Sequence, residues 1–126
     1  MKIVSLVARI LLGLIFSIFG LNGFLHFMNG PMPPGLAGEF IGAMFTSHFA
    51  YLVFGIQLAA GVLLLANQCV PFALVLLAAV IANILAFHIT MLPAGIAPGI
   101  VAAVLWLLVA YQERPILMGL FIKKSS

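Results

Sequence analysis

The stretch HFAYLVFGIQLAAGVLLLANQCVPFALVLLAAVIANILAFHITML, residues 48–92, contains no Asp, Glu, Lys or Arg. Its two halves, 48–66 and 70–92, each supply roughly the 20 apolar residues that a helix needs to cross a bilayer. The segment NQCVP between them is short and polar and contains a proline, so it predicts a tight turn. The stretch therefore predicts a transmembrane helical hairpin.

Apolar segments on either side of this hairpin predict two further spans, over about 3–28 and 97–114. Arg9 lies near one end of the first span, where its long side chain can extend to the headgroups. The connections NGPMPPGLAG and PAGIAPG interrupt the helical pattern with proline and glycine. We therefore expect one all-α domain over residues 1–126, an integral membrane four-helix bundle.

The composition excludes an ordinary soluble domain. Of the 126 residues, 66% are hydrophobic and 6% are charged, and the mean hydropathy is +1.37. A soluble domain is about 45–50% apolar and about 25% charged. The five Lys and Arg residues are scattered rather than gathered in a patch, so the expected partner is the lipid bilayer and not nucleic acid.

The positions of the cations predict the orientation of the bundle. All lie near the two chain ends: Lys2, Arg9, Arg114, Lys123 and Lys124. The connections 28–48 and 92–98 contain no Lys or Arg. Because cytoplasmic loops carry the excess of positive charge, an even number of spans places both termini and the Cys69 turn in the cytoplasm. The first apolar segment is too long for a signal peptide and lacks a clean cleavage site, so it predicts an uncleaved helix.

The connection 28–48 has a helical period of its own. Its apolar residues recur at helical spacing: Leu36, Phe40, Ala43 and Met44. Small and polar residues fall on the opposite side: Gly38, Glu39, Gly42 and Thr46. The pattern predicts a short amphipathic helix at the membrane interface between the first and second spans, and a plain surface loop is the alternative.

The strongly polar residues that are candidates for burial in the spans, together with those of this connection, all map to the outer half of the predicted bundle. Gln57, for example, lies roughly 13 Å below the start of its span at about 1.5 Å per residue. The candidate site is this outer-leaflet polar cluster: Asn22, His26, Glu39, Gln57, Asn83 and His88.

Two interpretations of the cluster remain open. Asn22, Gln57 and Asn83 can form hydrogen bonds between helices that small residues allow to approach closely. Alternatively, the cluster lines an outward-facing pocket for a polar headgroup or ring, since ionisable residues at membrane depth are functional candidates by default. On the first span, Gly13, Ser17 and Gly20 lie opposite Asn22 and predict a packing face, for which another subunit is one candidate partner.

Several stretches resemble the DoxX-like family of small four-helix bacterial membrane proteins. They are ARILLGLIFSIFGLNGFLHF, PMPPGLAGEFIGAMF, GIQLAAGVLLLAN and VPFALVLLAAVIANILAFHITMLPAG, which together cover nearly the whole chain. The resemblance implies a multi-pass protein of the bacterial inner membrane. The family is named for a subunit of a terminal quinol oxidase and thiosulfate:quinone oxidoreductase, so it also implies an accessory subunit near quinone chemistry.

One position departs from the family pattern. Such proteins often carry a glutamate just before the GG/AG-LLLL stretch of the second helix, where this chain has Gln57. An amide forms hydrogen bonds but does not take up a proton, so the departure argues against a proton relay. Pocket and packing roles are unaffected.

The sequence leaves several functions open, and it does not decide whether the chain is an enzyme. One hypothesis is a redox-associated subunit that contacts a quinone, the one cofactor suggested, through Asn22, His26 and Asn83, with a redox partner subunit supplying the electrons. Another is a non-catalytic scaffold or a module that binds a lipid or small molecule, alone or as a homo-oligomer. Haem ligation by His26 and His88, and a zinc site using Glu39, His26, His48 and His88, are weaker alternatives.

Overall fold

The computed structural model describes residues 2–26 and 32–121, and this part of the chain is helical without strands. In chain order the helices are α1 (Lys2–Leu25), α2 (Gly35–Thr46), α3 (Phe49–Ala66), α4 (Val70–Met91), α5 (Ala97–Gln112) and α6 (Arg114–Met118). Short 3₁₀ turns follow α4 and α6, at Pro93–Gly95 and Gly119–Phe121. The all-α prediction is confirmed.

Within the described residues, α1, α3 and α4 are each long and apolar enough to cross a membrane. The segments Ala97–Gln112 and Arg114–Phe121 pass the same test only as a pair, bent by 88°. The 16 residues of α5 rise about 24 Å, short of the hydrocarbon thickness of about 30 Å. By length and composition, residues 2–26 and 32–121 thus provide three candidate membrane-spanning helices, or four if the bent pair counts as one span.

The helix bounds differ slightly from the predicted spans. α1 ends at Leu25, whereas the prediction extended to Met28, which lies outside the described residues. α3, α4 and the start of α5 agree with their predicted bounds within a residue. Pro71 and Pro98 lie in the first turns of α4 and α5, where a missing backbone N–H costs no hydrogen bond.

The four long helices are arranged in a ring. α1 packs against α3 and α5, and α4 packs against the same two helices, so α1 and α4 lie diagonally opposite. The largest fully buried side chains fill the space between them: Leu12, Phe16, Leu64, Leu74 and Leu77. We call the end that carries Lys2, the 67–69 turn and Gln112 the Cys69 end, and the opposite end the α2 end.

Small residues allow α1 and α3 to approach closely. A Cβ atom added to Gly20 would lie 2.6 Å from the Leu58 nitrogen, and one added to Gly61 would lie 2.6 Å from the Ser17 nitrogen. These neighbours are backbone atoms, so they do not rotate away. The packing face predicted for the stripe of small residues on α1 is confirmed, and its partner is α3 of the same chain.

The helix expected in the connection is α2, and it packs on α3 and α4. Within α2, Ala37 is fully buried, whereas Leu36 and Phe40 on the predicted apolar stripe are 61% and 41% exposed. α2 is apolar on both sides, and the side with the small Ala37 comes closest to the bundle. Its place at a membrane interface stays a prediction.

Candidate functional site

The six predicted site residues lie on four different helices. Asn22 is on α1 and His26 follows its last residue, Glu39 is on α2, Gln57 is halfway along α3, and Asn83 and His88 are on α4. Apart from Asn22, no two of these residues share a side-chain hydrogen bond or ring contact in the described part of the chain. α1 and α4 are diagonal in the ring of helices, and α3 packs against both of them.

The polar side chains of α4 hydrogen-bond to their own helix. The Asn83 amide is exposed and its Nδ2 donates to the Ala79 carbonyl at 2.8 Å, and the Thr90 hydroxyl donates to the Ala86 carbonyl at 2.7 Å. A side chain that reaches no neighbour satisfies its donor on the carbonyl four residues earlier. The expectation that Asn83 joins two helices is therefore wrong.

The His88 ring is held in one orientation. Its Nδ1 lies 2.8 Å from the Ile84 carbonyl and so donates to it, which leaves Nε2 as an acceptor in the neutral ring. The ring packs edge-on against Phe87 at 5.2 Å and lies beneath Gly95, where a Cβ would be 3.2 Å from Cδ2. Of the ionisable residues in the predicted cluster, His88 is half-buried, whereas His26 and Glu39 are exposed.

His26 and His48 both have left-handed backbone conformations, with φ of 54° and 66°. His26 follows the last residue of α1 and His48 precedes the first residue of α3, positions where the chain changes direction. Both side chains are exposed, with the His26 ring 5.5 Å from Phe45 and the His48 ring 5.7 Å from Tyr51. Histidine is among the residues that tolerate this conformation better than most, so each has a structural role besides any chemical one.

Gln57 is the most deeply buried of the six residues. It is 6% exposed, and its side chain makes no hydrogen bond within the described residues. The buried side-chain polar atom without a partner in the described chain is the Ser17 Oγ on α1, so the Gln57 amide atoms are less completely enclosed than that hydroxyl. The close helix approach that the sequence predicted is present, since a Cβ on Gly61 would lie 2.6 Å from the Ser17 Oγ. Among the described residues, Gln57 does not form the hydrogen bond to a neighbouring helix that one of the two interpretations expected.

Asn22 and Glu39 complete the set. Asn22 is half-buried and takes part in an interaction with another group. Glu39 is exposed on α2. No group of three or more His, Cys, Asp or Glu side chains within residues 2–26 and 32–121 is placed to hold a metal ion. His26 and His88, the pair considered for haem, are at the ends of the diagonal helices.

Sequence analysis missed an aromatic cluster at the α2 end. Its rings form three runs with centroids 5.2–5.8 Å apart: Phe24–Tyr51–His48, His26–Phe45–Phe54 and Phe40–Phe87–His88. The runs link α1 to α3, α1 through α2 to α3, and α2 to α4. A concentration of rings at similar predicted depth was the available signal, although spacing alone does not show which rings meet.

A comparison of the chain with protein-family models, with curated proteins and with solved structures found no match. The resemblance to DoxX-like proteins therefore rests on the stretches of sequence quoted above.

Proposed function

We propose that the chain is a non-catalytic, DoxX-like module of the bacterial inner membrane that binds a small ring-bearing ligand at the α2 end. In this proposal both termini are cytoplasmic and the α2 end faces outward. Quinones are the ligand class that fits best, because they combine an apolar ring with carbonyl groups that accept hydrogen bonds. The proposal assigns ligand binding to Gln57 and the aromatic cluster at the α2 end, and it assigns no chemical step to any residue.

The observation that carries this proposal is Gln57, which is 6% exposed and whose amide has no hydrogen-bond partner among the described residues. Its amide atoms are not fully enclosed, because the fully buried side-chain polar atom without a partner in the described chain is the Ser17 Oγ. A ligand carbonyl can therefore accept a hydrogen bond from the Gln57 amide. The Phe45 and Phe54 rings are stacked 5.8 Å apart, and Phe54 lies one helical turn before Gln57. An aromatic surface thus leads toward the amide.

Ring contacts also make the α2 end suited to a flat ligand. Aromatic pairs accept several offset geometries at similar energy, so a further ring can insert without breaking directional bonds. When bound, a quinone would supply two-electron redox chemistry, and the chain's own residues would bind and orient it. Transfer of electrons would need a redox partner subunit.

Quinone binding by matched variants tests the proposal. The probe is ubiquinone or menaquinone added to the purified protein in mild detergent, with binding measured by native mass spectrometry. We expect Gln57→Leu to weaken quinone binding by about tenfold, the equivalent of about 1.4 kcal/mol. Asn83→Leu, which removes an exposed amide bonded to its own helix, is the control and should bind as the unaltered protein does.

A change in stability separates the ligand site from a purely structural role. Because Gln57→Leu replaces an amide that forms no hydrogen bond in the described chain with an apolar side chain of similar size, we expect the ligand-free variant to unfold at the same or a higher temperature. Unchanged quinone binding by Gln57→Leu would overturn the proposal.

A second candidate is a membrane scaffold without a small ligand, alone or as a homo-oligomer. The scaffold is favoured by the side chains of Asn83, His88 and Thr90. Each of them hydrogen-bonds to a backbone carbonyl of its own helix and so has a partner without a ligand. The neighbouring face of α4 is exposed and consists of small residues, among them Ala79, Ala82 and Ala86. The scaffold predicts that no added quinone is retained and that Asn83→Leu, rather than Gln57→Leu, alters the assembly with partner chains.

A further inference from the structure

A change of chain direction at the Cys69 end creates an apolar groove away from the proposed quinone site. α5 ends at Gln112, and the following segment Arg114–Phe121 is inclined by 88° to it. The segment has little cover within the chain, since Ile116 is 60% and Phe121 is 83% exposed. Such a short segment cannot cross a bilayer by itself, so it lies across the end of the bundle.

The groove runs between this segment and the first turns of α4, and its volume is about 310 Å³. Its lining is wholly apolar: Pro71, Phe72, Val75, Ile116, Leu117 and Leu120. Small-molecule sites begin at about 300 Å³ and are mostly apolar, so this groove is large enough for part of an acyl chain. None of the six predicted site residues lines it.

Arg114 is the first residue of the same segment, and its guanidinium is held in position by Tyr111. Nη1 of Arg114 donates to the Tyr111 carbonyl at 2.8 Å, and the Arg114 Cζ lies 4.1 Å from the centre of the Tyr111 ring. Arginine has five N–H donors, so most remain available on this exposed side chain. Leu117 of the groove follows Arg114 by three residues, which places both on similar sides of one helical turn. A group bound to the guanidinium is therefore next to the groove.

The charge distribution indicates the sign of that group. Lys2, Arg9 and Arg114 all lie toward the Cys69 end. Among the described residues, the acidic residue at this end is Glu113. The other acidic residue, Glu39, is at the opposite end on α2. Arginine binds phosphate oxygens in paired hydrogen bonds, and juxtamembrane cations attract anionic lipids.

We propose that this groove is a binding site for one anionic phospholipid. An acyl chain lies between the first turns of α4 and the segment 116–120, and the phosphate accepts hydrogen bonds from Arg114. The Tyr111 carbonyl and ring hold the guanidinium in place before the lipid binds, which reduces the entropy lost on binding. The site is independent of the α2 end, so it stands whether or not a quinone binds there.

The test measures lipid binding to the full chain after delipidation in detergent. Phosphatidylglycerol and phosphatidylcholine with the same acyl chains are titrated separately, and the first bound lipid is quantified by native mass spectrometry. We expect phosphatidylglycerol to bind tighter, and Arg114→Gln to weaken it by about tenfold, toward the phosphatidylcholine value. Lys2→Gln removes an exposed cation at the same end and should leave the preference intact.

A groove-filling variant makes the test sharper. Val75 is 44% exposed, so Val75→Phe should fill the groove without disturbing the core and weaken both lipids. Equal losses for Arg114→Gln and Lys2→Gln would overturn the proposal, because they would show attraction to net charge rather than a site. Unchanged binding by Val75→Phe, or no preference for phosphatidylglycerol, would also overturn it.

Discussion

The two ends of the bundle are held together by different kinds of contact. At the Cys69 end, side chains donate hydrogen bonds to backbone carbonyls of neighbouring helices. Arg9 donates to Leu64, Trp106 Nε1 to Leu74 at 2.8 Å, and Ser5 to Leu108 at 3.5 Å. At the α2 end the helices are joined by the aromatic cluster, and the polar groups of α4 bond to their own helix.

This difference indicates which end of the bundle can rearrange when a ligand binds. Leu64 lies in the last turn of α3, where carbonyls lack some of their intrahelical partners, and Leu108 lies close to the end of α5, whereas Leu74 lies near the start of α4. These bonds are directional and fix the helix ends. Ring contacts tolerate changes in angle and offset. We therefore expect the α2 end to rearrange around a ligand while the Cys69 end keeps its geometry.

The largest effect on this comparison should come from Arg9. Its guanidinium donates to the C-terminal end of α3, where a positive charge also interacts favourably with the helix dipole. We expect Arg9→Met to lower the free energy of unfolding by about 1.5–3 kcal/mol, the usual range for a hydrogen bond to a charged group. The measurement is denaturant unfolding in detergent, followed by circular dichroism.

Arg9→Lys is the matched control for charge and should recover part of the lost stability. If Arg9→Met unfolds like the unaltered protein, then the side chain contributes nothing at this end and the contrast between the two ends fails.

At the α2 end, Gly23 is the position where we expect a substitution to lower stability most. A Cβ added there would overlap the Phe54 ring and lie 2.6 Å from the Phe54 Cβ, so the ring that stacks on Phe45 must move. Overpacking of this kind costs about 1–3 kcal/mol. We expect Gly23→Ala to be destabilised by that amount, as measured by the same unfolding curves.

Two further variants define the cause of that loss. Gly42 lies on α2 with nothing within 4 Å of an added Cβ, so Gly42→Ala should not destabilise the protein. Adding Phe54→Leu to Gly23→Ala should restore stability if the clash with the ring is the cause, whereas additive losses would contradict this explanation.

The helices could be predicted from the sequence because apolar runs of membrane length leave few alternatives. The turn at Cys69 and the helix α2 followed from proline, glycine and a 3.6-residue period. The bend after Gln112 was not predictable, since Pro115 and Glu113 resemble an ordinary helix end. A residue pattern also does not decide whether 16 apolar residues are one full span.

The candidate site was predicted less well, because depth in the bundle does not fix a hydrogen-bond partner. Gln57 was correctly placed among small residues but makes no bond to another helix in the described chain. Asn83 was expected to face a neighbour, whereas the actual donors between helices include Trp106 and also Arg9, whose side chain we had expected to extend to the headgroups. Long side chains reach carbonyls several residues away, and spacing rules do not capture that reach.

Trp106 gives a smaller, sharper test of the Cys69 end. Trp106→Phe keeps an aromatic ring against the core and removes the N–H that donates to the Leu74 carbonyl. Side-chain hydrogen bonds between membrane helices average about 0.6 kcal/mol, so we expect a loss of that size in unfolding experiments. A much larger loss would mean that ring volume, rather than hydrogen bonding, holds α5 to α4.

The smallest expected effect is at His26, where two contributions oppose each other. Its φ of 54° favours glycine, and relief of a left-handed conformation is worth about 1 kcal/mol. Loss of the ring contact with Phe45 costs about 0.5–1.5 kcal/mol. We therefore expect His26→Gly to unfold within about 0.5 kcal/mol of the unaltered protein.

His26→Ala separates these contributions, because it loses the ring but keeps the backbone strain. It should be less stable than His26→Gly by about 1 kcal/mol, and equal stabilities would show that the left-handed turn carries no strain. The same pair addresses the ligand. If the imidazole contacts a quinone, both variants weaken quinone binding equally, whereas a role confined to the turn weakens binding only in His26→Ala.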